Sequence, residues 1–191
     1  MHEPRNPRPG TDLREHAVHL LTQAAPLAGM GPQEARIVVE AMRPLHLLAD
    51  TLLFEEGDAV DNDYMVLVLE GQLRAVSSTG LPGEELVISV LGPGSLVGEM
   101  GVVDGGPRSA SCTALTDVKL GVLSRESLVE LVEAHPAAAV RLMMGLSKGL
   151  AGRLRESNRR LRTLSQVTRA LQSELDAAHA VNRRLLDAPK S

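Results

Sequence analysis

Glu99 and Arg108 stand nine positions apart, Ser109 follows the arginine directly, and glycine punctuates the whole segment GPGSLVGEMGVVDGGPRSAS, residues 92–111. An ionised carboxylate is a pure acceptor suited to a hydroxyl, a guanidinium fork matches a phosphate bidentately, and a serine hydroxyl adds one donor. Gly92, Pro93 and Gly94 read as a turn, while Gly98, lacking a Cβ, permits close backbone approach. Residues 99–103 suffice for one helical turn whose free N–H groups attract an anion. Asp104, Gly105, Gly106 and Pro107 break that turn, and residues 110–115 read as a strand.

These groups need a frame. Between 45 and 124 the chain runs as short apolar stretches separated by turn residues, at 51–54, 64–69, 72–77, 85–91, 110–115 and 118–123. That spacing predicts a compact antiparallel β-roll. Residues 64–69 are apolar at every position, as expected of a strand covered on both faces. Residues 1–11 read as a disordered start. Thr11 or Asp12 could cap a helix to about residue 25, with Leu13, Ala17, Leu20 and Leu21 on one face, and a second helix is expected over 32–42. Ser124 reads as the N-cap of a helix over 125–134, and Pro136 suits the first turn of another.

Gly98-Glu99-Met100-Gly101 followed by Pro107-Arg108-Ser109-Ala110 resembles the phosphate-binding cassette of the cyclic nucleotide-binding domain, the module of protein kinase A regulatory subunits, cyclic nucleotide-gated channels and catabolite-activator regulators. Phe54-x-x-Gly57-Asp58 and the run from Tyr64 to Gly71 resemble the glycine-marked strands of that family's β-roll, so the likeness covers roughly residues 24–150. The resemblance implies an α+β fold, a jelly-roll-like antiparallel β-roll flanked by helices. It implies that Glu99 holds the ribose 2′-OH, and that Arg108 and Ser109, with backbone N–H groups near 98–100, hold the cyclic phosphate. Aligned without gaps, Arg153 and Leu154 fall where bacterial activators contact adenine; Arg153 either stacks on the purine or is solvated. The expected ligand set is therefore Val97, Gly98, Glu99, Met100, Arg108, Ser109 and Arg153, for cAMP in preference to cGMP, with no metal. The competing expectation is an ordinary Glu99–Arg108 ion pair in a ligand-free scaffold.

After Pro136 a 4–3 periodicity sets in. Val140, Met143, Ser147, Leu150, Leu154, Ser157, Leu161, Leu164, Thr168, Leu171, Leu175, Ala178, Asn182 and Leu185 fall on a and d positions. About seven heptads predict a coiled-coil helix about 75 Å long, the alternative being that the helix, mainly in its first two turns, folds back on its own β-roll. Asn182 at an a position favours two strands in register, and the resemblance likewise implies a parallel homodimer, here through residues 136–187. Gly145, Gly149 and Gly152 weaken its start by about 1 kcal/mol each relative to Ala. The expected organisation is a start and N-terminal helix over 1–23, a ligand-binding β-roll over 24–135 and a dimerising helix over 136–191.

Composition narrows the function. The 191 residues carry a net charge of −4, but residues 1–136 hold 9 Lys/Arg against 20 Asp/Glu, a balance of −11, while residues 137–191 hold 11 against 4, a balance of +7. An acidic body repels an anion over about 8 Å, the Debye length, so Arg108, the sole Lys or Arg between Arg74 and Lys119, must act as a local focus. The basic run Arg153, Arg155, Arg159, Arg160 and Arg162 lies past the roll with no further segment to fold a helix-turn-helix, so a solvated helix face or an acidic protein partner is expected rather than nucleic acid. A single cysteine, Cys112, excludes an internal disulfide and a multi-thiolate cluster; it reads as a buried strand residue. His16 and His19 lack partners for a metal set, no nucleophile–base pair stands out, and the reading is a receptor, not an enzyme. With no long apolar span and no signal-like start, a cytoplasmic protein without membrane insertion is expected.

Overall fold

The computed structural model describes residues 9–23, 29–78 and 85–186. Two helices lead in, α1 (Pro9–Gln23) and α2 (Pro32–Glu40). Among the described residues eight strands follow: β1 (Arg43–Leu47), β2 (Leu52–Phe54), β3 (Tyr64–Glu70), β4 (Leu73–Ser78), β5 (Glu85–Leu91), β6 (Leu96–Val97), β7 (Ser111–Ala114) and β8 (Val118–Ser124). A short helix α3 (Glu99–Asp104) separates β6 from β7, and α4 (Arg125–Ala134) and α5 (Pro136–Leu186) close the chain. The strands form two antiparallel four-stranded sheets, ordered β1-β8-β3-β6 and β2-β7-β4-β5. This is the expected α+β architecture, a β-roll with flanking helices and a long C-terminal helix.

The two-residue alternation of β3 explains its unbroken apolar run. Val66 and Val68 point into the layer between the sheets with Phe54, Leu73, Cys112 and Leu120. Met65, Leu67 and Leu69 point the other way, into a core shared with Ala17, Val18 and Leu21 of α1 and with Leu128 and Leu131 of α4. Both faces of the strand are dry, so polar residues are excluded from either. Two strands escape the sequence pattern. β1 contains Pro44, which cannot donate to a ladder, and it sits at a sheet edge where that costs least. β6 has only two residues, too few to show alternation.

Local signals hold at α4 and α5. The Ser124 hydroxyl accepts from the Ser127 backbone N–H, the N-cap bond its position predicts. His135, with φ −139° and ψ 62°, leaves the helical region between Ala134 and Pro136. The first turns of α5 carry Ala138, Ala139, Leu142 and Leu146, all buried in the helix-side core. Accordingly the chain divides by compactness into Met1–Lys148 and Gly149–Ser191. The inward face of these turns differs from the heptad face: Val140, an a-position residue, is 57% exposed.

Candidate functional site

The cassette is built by β6, α3 and the turn into β7. Val97 ends β6 with its side chain buried. Gly98, the N-cap residue of α3, has φ +80°, the left-handed region that favours glycine. Glu99 opens α3 and is 2% exposed, and Arg108 is 3% exposed. Among the described residues these are the two buried charged side chains. Burying a charge is expensive unless it is paired and hydrogen-bonded, so two such groups in one segment mark a built site.

Arg108 is held by the protein itself. Its Nε and Nη2 donate to the Asp61 carbonyl at 3.1 and 2.7 Å, and its Nη1 donates to the carbonyls of Tyr64 at 2.9 Å and Gly98 at 3.1 Å. The guanidinium carbon lies 4.3 Å from the Phe54 ring centroid and 4.5 Å from that of Tyr64, both within cation–π reach. The backbone is pinned too: Arg108 N–H donates to Asp58 O, and Arg108 O accepts from Gly57 N–H, each at 2.8 Å. The glycine at 98 consequently serves the arginine. A Cβ there would come within 2.6 Å of Arg108 Nη1 and 3.2 Å of the Tyr64 oxygen, so the space that the sequence reading assigns to an approaching ligand is already occupied by the guanidinium.

Ser109 and Met100 lie on the exposed side of the cassette, with Ser109 Oγ 3.6 Å from Met100 Sδ. Val97, Gly98, Glu99, Met100, Arg108 and Ser109 thus come together in one segment. Arg153 belongs to the second compact unit, where it is exposed.

Four more residues complete the setting without having been assigned to the ligand site in the sequence. Asn62, 8% exposed, donates through Nδ2 to Gly105 O at 3.0 Å and Gly106 O at 2.9 Å, clamping the end of α3. A Cβ at Gly101 would meet the Asn62 carbonyl at 2.6 Å, so this packing also requires glycine. Arg125, the first residue of α4, donates through Nη2 to the Gly101 carbonyl, while its buried Nε lacks a hydrogen-bond partner. Its backbone N–H donates to Asp63 O at 2.6 Å. Phe54 and Tyr64 carried a signal: they are the chain's only phenylalanine and tyrosine, in a sequence with no tryptophan, and both lie against one arginine. Asn62 gave none, because an asparagine amid Asp and Ser-like turn residues reads as a turn former.

The electrostatics follow from these bonds. Asp58 is held below the usual carboxylate range by the backbone N–H groups of Val60 and Asp61, with a lesser contribution from the Arg108 charge. Burial pushes the Tyr64 phenol up, and its hydroxyl donates to the Leu53 carbonyl at 3.1 Å. Cys112, fully buried as expected, is pushed up to about 11 by desolvation. The described residues contain no group of three or more His, Cys, Asp or Glu side chains able to hold a metal ion, and no helix long and apolar enough to cross a membrane.

The β-roll thus buries a carboxylate and a guanidinium around the short helix α3. Residues 44–135 match the family of the cyclic nucleotide-binding domain, and the chain belongs to that family. It is 34% identical over 137 residues to a cyclic AMP receptor protein of Thermus thermophilus, covering 72% of this chain and 60% of that protein. Among solved structures, a cyclic nucleotide-binding domain from Methylobacillus flagellatus superposes with a TM-score of 0.68 at 29% identity, covering 78% of this chain and 82% of the other. The N-terminal domain of a transcriptional regulator from Streptomyces coelicolor superposes with a TM-score of 0.60 at 31% identity, covering 74% and 94%. The chain spans about three fifths of the length of the first curated relatives it matches, the receptor protein and a CRP-like cAMP-activated global transcriptional regulator of Mycobacterium tuberculosis.

Proposed function

We propose that this chain is a cyclic-nucleotide sensor, favouring cAMP over cGMP, that works as a homodimer through residues 136–187 and signals to a protein partner rather than to DNA. The observation that carries the reading is that Glu99 and Arg108, the pair a sugar-phosphate clamp requires, are the two charged side chains buried among the described residues. In this reading the Glu99 carboxylate accepts from the ribose 2′-OH. Arg108 exchanges its carbonyl partners for the cyclic phosphate, with Ser109 and the backbone N–H groups of residues 97–100 as further donors. Val97 and Met100 supply the walls, and Arg153 is the candidate cap on the base.

The link between Arg125 and the Gly101 carbonyl ties the cassette to α4. A ligand that draws α3 inward then repacks α4, and the glycine-weakened start of the coiled coil at Gly145, Gly149 and Gly152 responds. Support for a dimer comes from the second unit itself. Leu154, Leu161, Leu164, Leu171 and Leu175 recur at heptad spacing and are each more than half exposed, a seam without a partner inside its own helix. The adjoining arginines are exposed as well, with Glu156 bridged to Arg159 and Arg160, a basic face suited to an acidic partner.

Titration calorimetry with cAMP and cGMP side by side tests the reading. Saturable heat with cAMP, weakened by Ser109→Ala and by Arg108→Lys, supports it; no heat and no thermal stabilisation with either nucleotide at millimolar concentration rejects it. One observation favours the ligand-free scaffold as a second reading: the Arg108 donors are already engaged by the carbonyls of Asp61, Tyr64 and Gly98. A scaffold shows no nucleotide response before or after either substitution.

A further inference from the structure

A groove of about 450 Å³ lies between α1, α2 and the sheet that contains β8, and it shares no residue with the cassette. Alternation along β8 sends Leu120 into the layer between the sheets and Leu123 into the helix-side core, so Gly121 occupies a helix-facing position. Its neighbour across the ladder is Pro44 of β1, and the Met42 side chain covers it, with the sulfur 2.9 Å from the place a Cβ at Gly121 would take. Leu13 and Ala17 of α1, Val39 of α2 and Leu69 of β3 form the apolar walls.

Two cations flank this surface. Arg14 and Arg43 line the groove, and neither side chain has a hydrogen bond or ion pair among the described residues. Lys119, two residues before Gly121, is by contrast neutralised by Glu70 at 2.8 Å. Among the described residues no acidic side chain lines the groove. In a body whose first 136 residues carry 20 acidic groups against 9 basic ones, two guanidinium groups without a partner among the described residues, beside an apolar trough, make a specific charge pattern. Among the described residues the walls offer no aromatic ring to stack a base and no serine, threonine or amide to read a peptide. The size lies inside the range of about 300–1,000 Å³ usual for small-molecule sites.

We propose that this groove binds a free amphiphile made of an alkyl chain and a carboxylate head. The chain lies along Leu13, Ala17, Val39 and Leu69, beside Met42 where that side chain covers Gly121. The head group is met by Arg14 and Arg43, which bind carboxylates in charge-assisted, bidentate fashion. Because Ala17 shares one core with Ala138 and Leu142 of α5, the occupant is packed against the same core that seats the start of the signalling helix.

The test is titration calorimetry of the full chain with decanoate below its critical micelle concentration, with decyltrimethylammonium as a probe of equal tail and opposite head. Saturable binding of decanoate near one per chain is expected, with the cationic probe weaker. The surface double variant Arg14→Gln, Arg43→Gln should weaken decanoate on the order of tenfold or more, because each hydrogen bond to a charged group is lost. Gly121→Val, which displaces the Met42 side chain into the groove, should abolish binding, with circular dichroism verifying its fold. The proposal is overturned by no saturable decanoate binding, by equal binding of the two head groups, or by an arginine double variant that binds as well as the parent. Binding to phosphatidylglycerol vesicles without binding of free decanoate overturns it too. None of these outcomes bears on the cyclic nucleotide titration, which reads a different set of residues.

Discussion

Replacing Arg108 by alanine should destabilise the protein with no ligand present. The guanidinium makes four hydrogen bonds to the carbonyls of Asp61, Tyr64 and Gly98 and lies against two aromatic rings, at 3% exposure. Each buried carbonyl left without a donor costs about 1–3 kcal/mol, and each cation–π contact contributes about 0.5–2 kcal/mol. Removing a buried charge refunds part of this, since desolvating an ion costs several kcal/mol. The net expectation is a loss of about 2–4 kcal/mol. At an m value of about 2 kcal/mol per molar, the urea midpoint falls by about 1–2 M with the slope unchanged. Arg108→Lys keeps the charge but has a single nitrogen in place of the fork, so it should recover less than half of the loss. A midpoint shift too small to measure for Arg108→Ala would refute the reasoning, because it would mean that the arginine swings freely to solvent and that its carbonyl partners are satisfied by water.

Asn62→Ala removes two donors from the carbonyls of Gly105 and Gly106 and should cost about 1–3 kcal/mol, with faster amide exchange confined to the end of α3 and the turn to Arg108. Asp58 has a folded pKa lowered by the Val60 and Asp61 N–H groups, so its contribution is fully present above the unfolded value near about 3.9 and fades as pH falls through the folded one; Asp58→Asn should therefore flatten part of the parent's loss of stability between about pH 5 and 3, and parallel curves would contradict it. Cys112, with its thiol pushed up to about 11 and no exposed surface, should resist alkylation at pH near about 8 until urea unfolds the chain; labelling of the native protein at the rate of a free thiol would exclude that burial. Leu161→Asp with Leu164→Asp should turn a sedimenting dimer into a monomer, and a parent that is monomeric at tens of micromolar would remove the dimer from the proposal.

What could be read from the chain alone was whatever depends on neighbours in sequence. The β-roll followed from short apolar runs at turn spacing, α4 from the Ser124 cap, its end from Pro136, and the cassette from the order Gly98, Glu99, Arg108, Ser109. The first three rest on local rules of φ, hydrogen-bond reach or periodicity and the cassette on its resemblance to a family motif, and none needs knowledge of what lies opposite. The tertiary structure decided where the groups point. Asp61 and Tyr64 lie 47 and 44 residues from Arg108, yet their carbonyls turn its guanidinium inward, and no spacing rule carries that information. Arg125 reaches back 24 residues to Gly101, Asn62 reaches forward 43 and 44 to Gly105 and Gly106, and the first turns of α5 leave the heptad face to enter the roll's core. The reason is the same in each case: side-chain donors and apolar faces are satisfied by whatever surface the fold brings near, and that surface exists only after the two sheets and the helices have closed on one another.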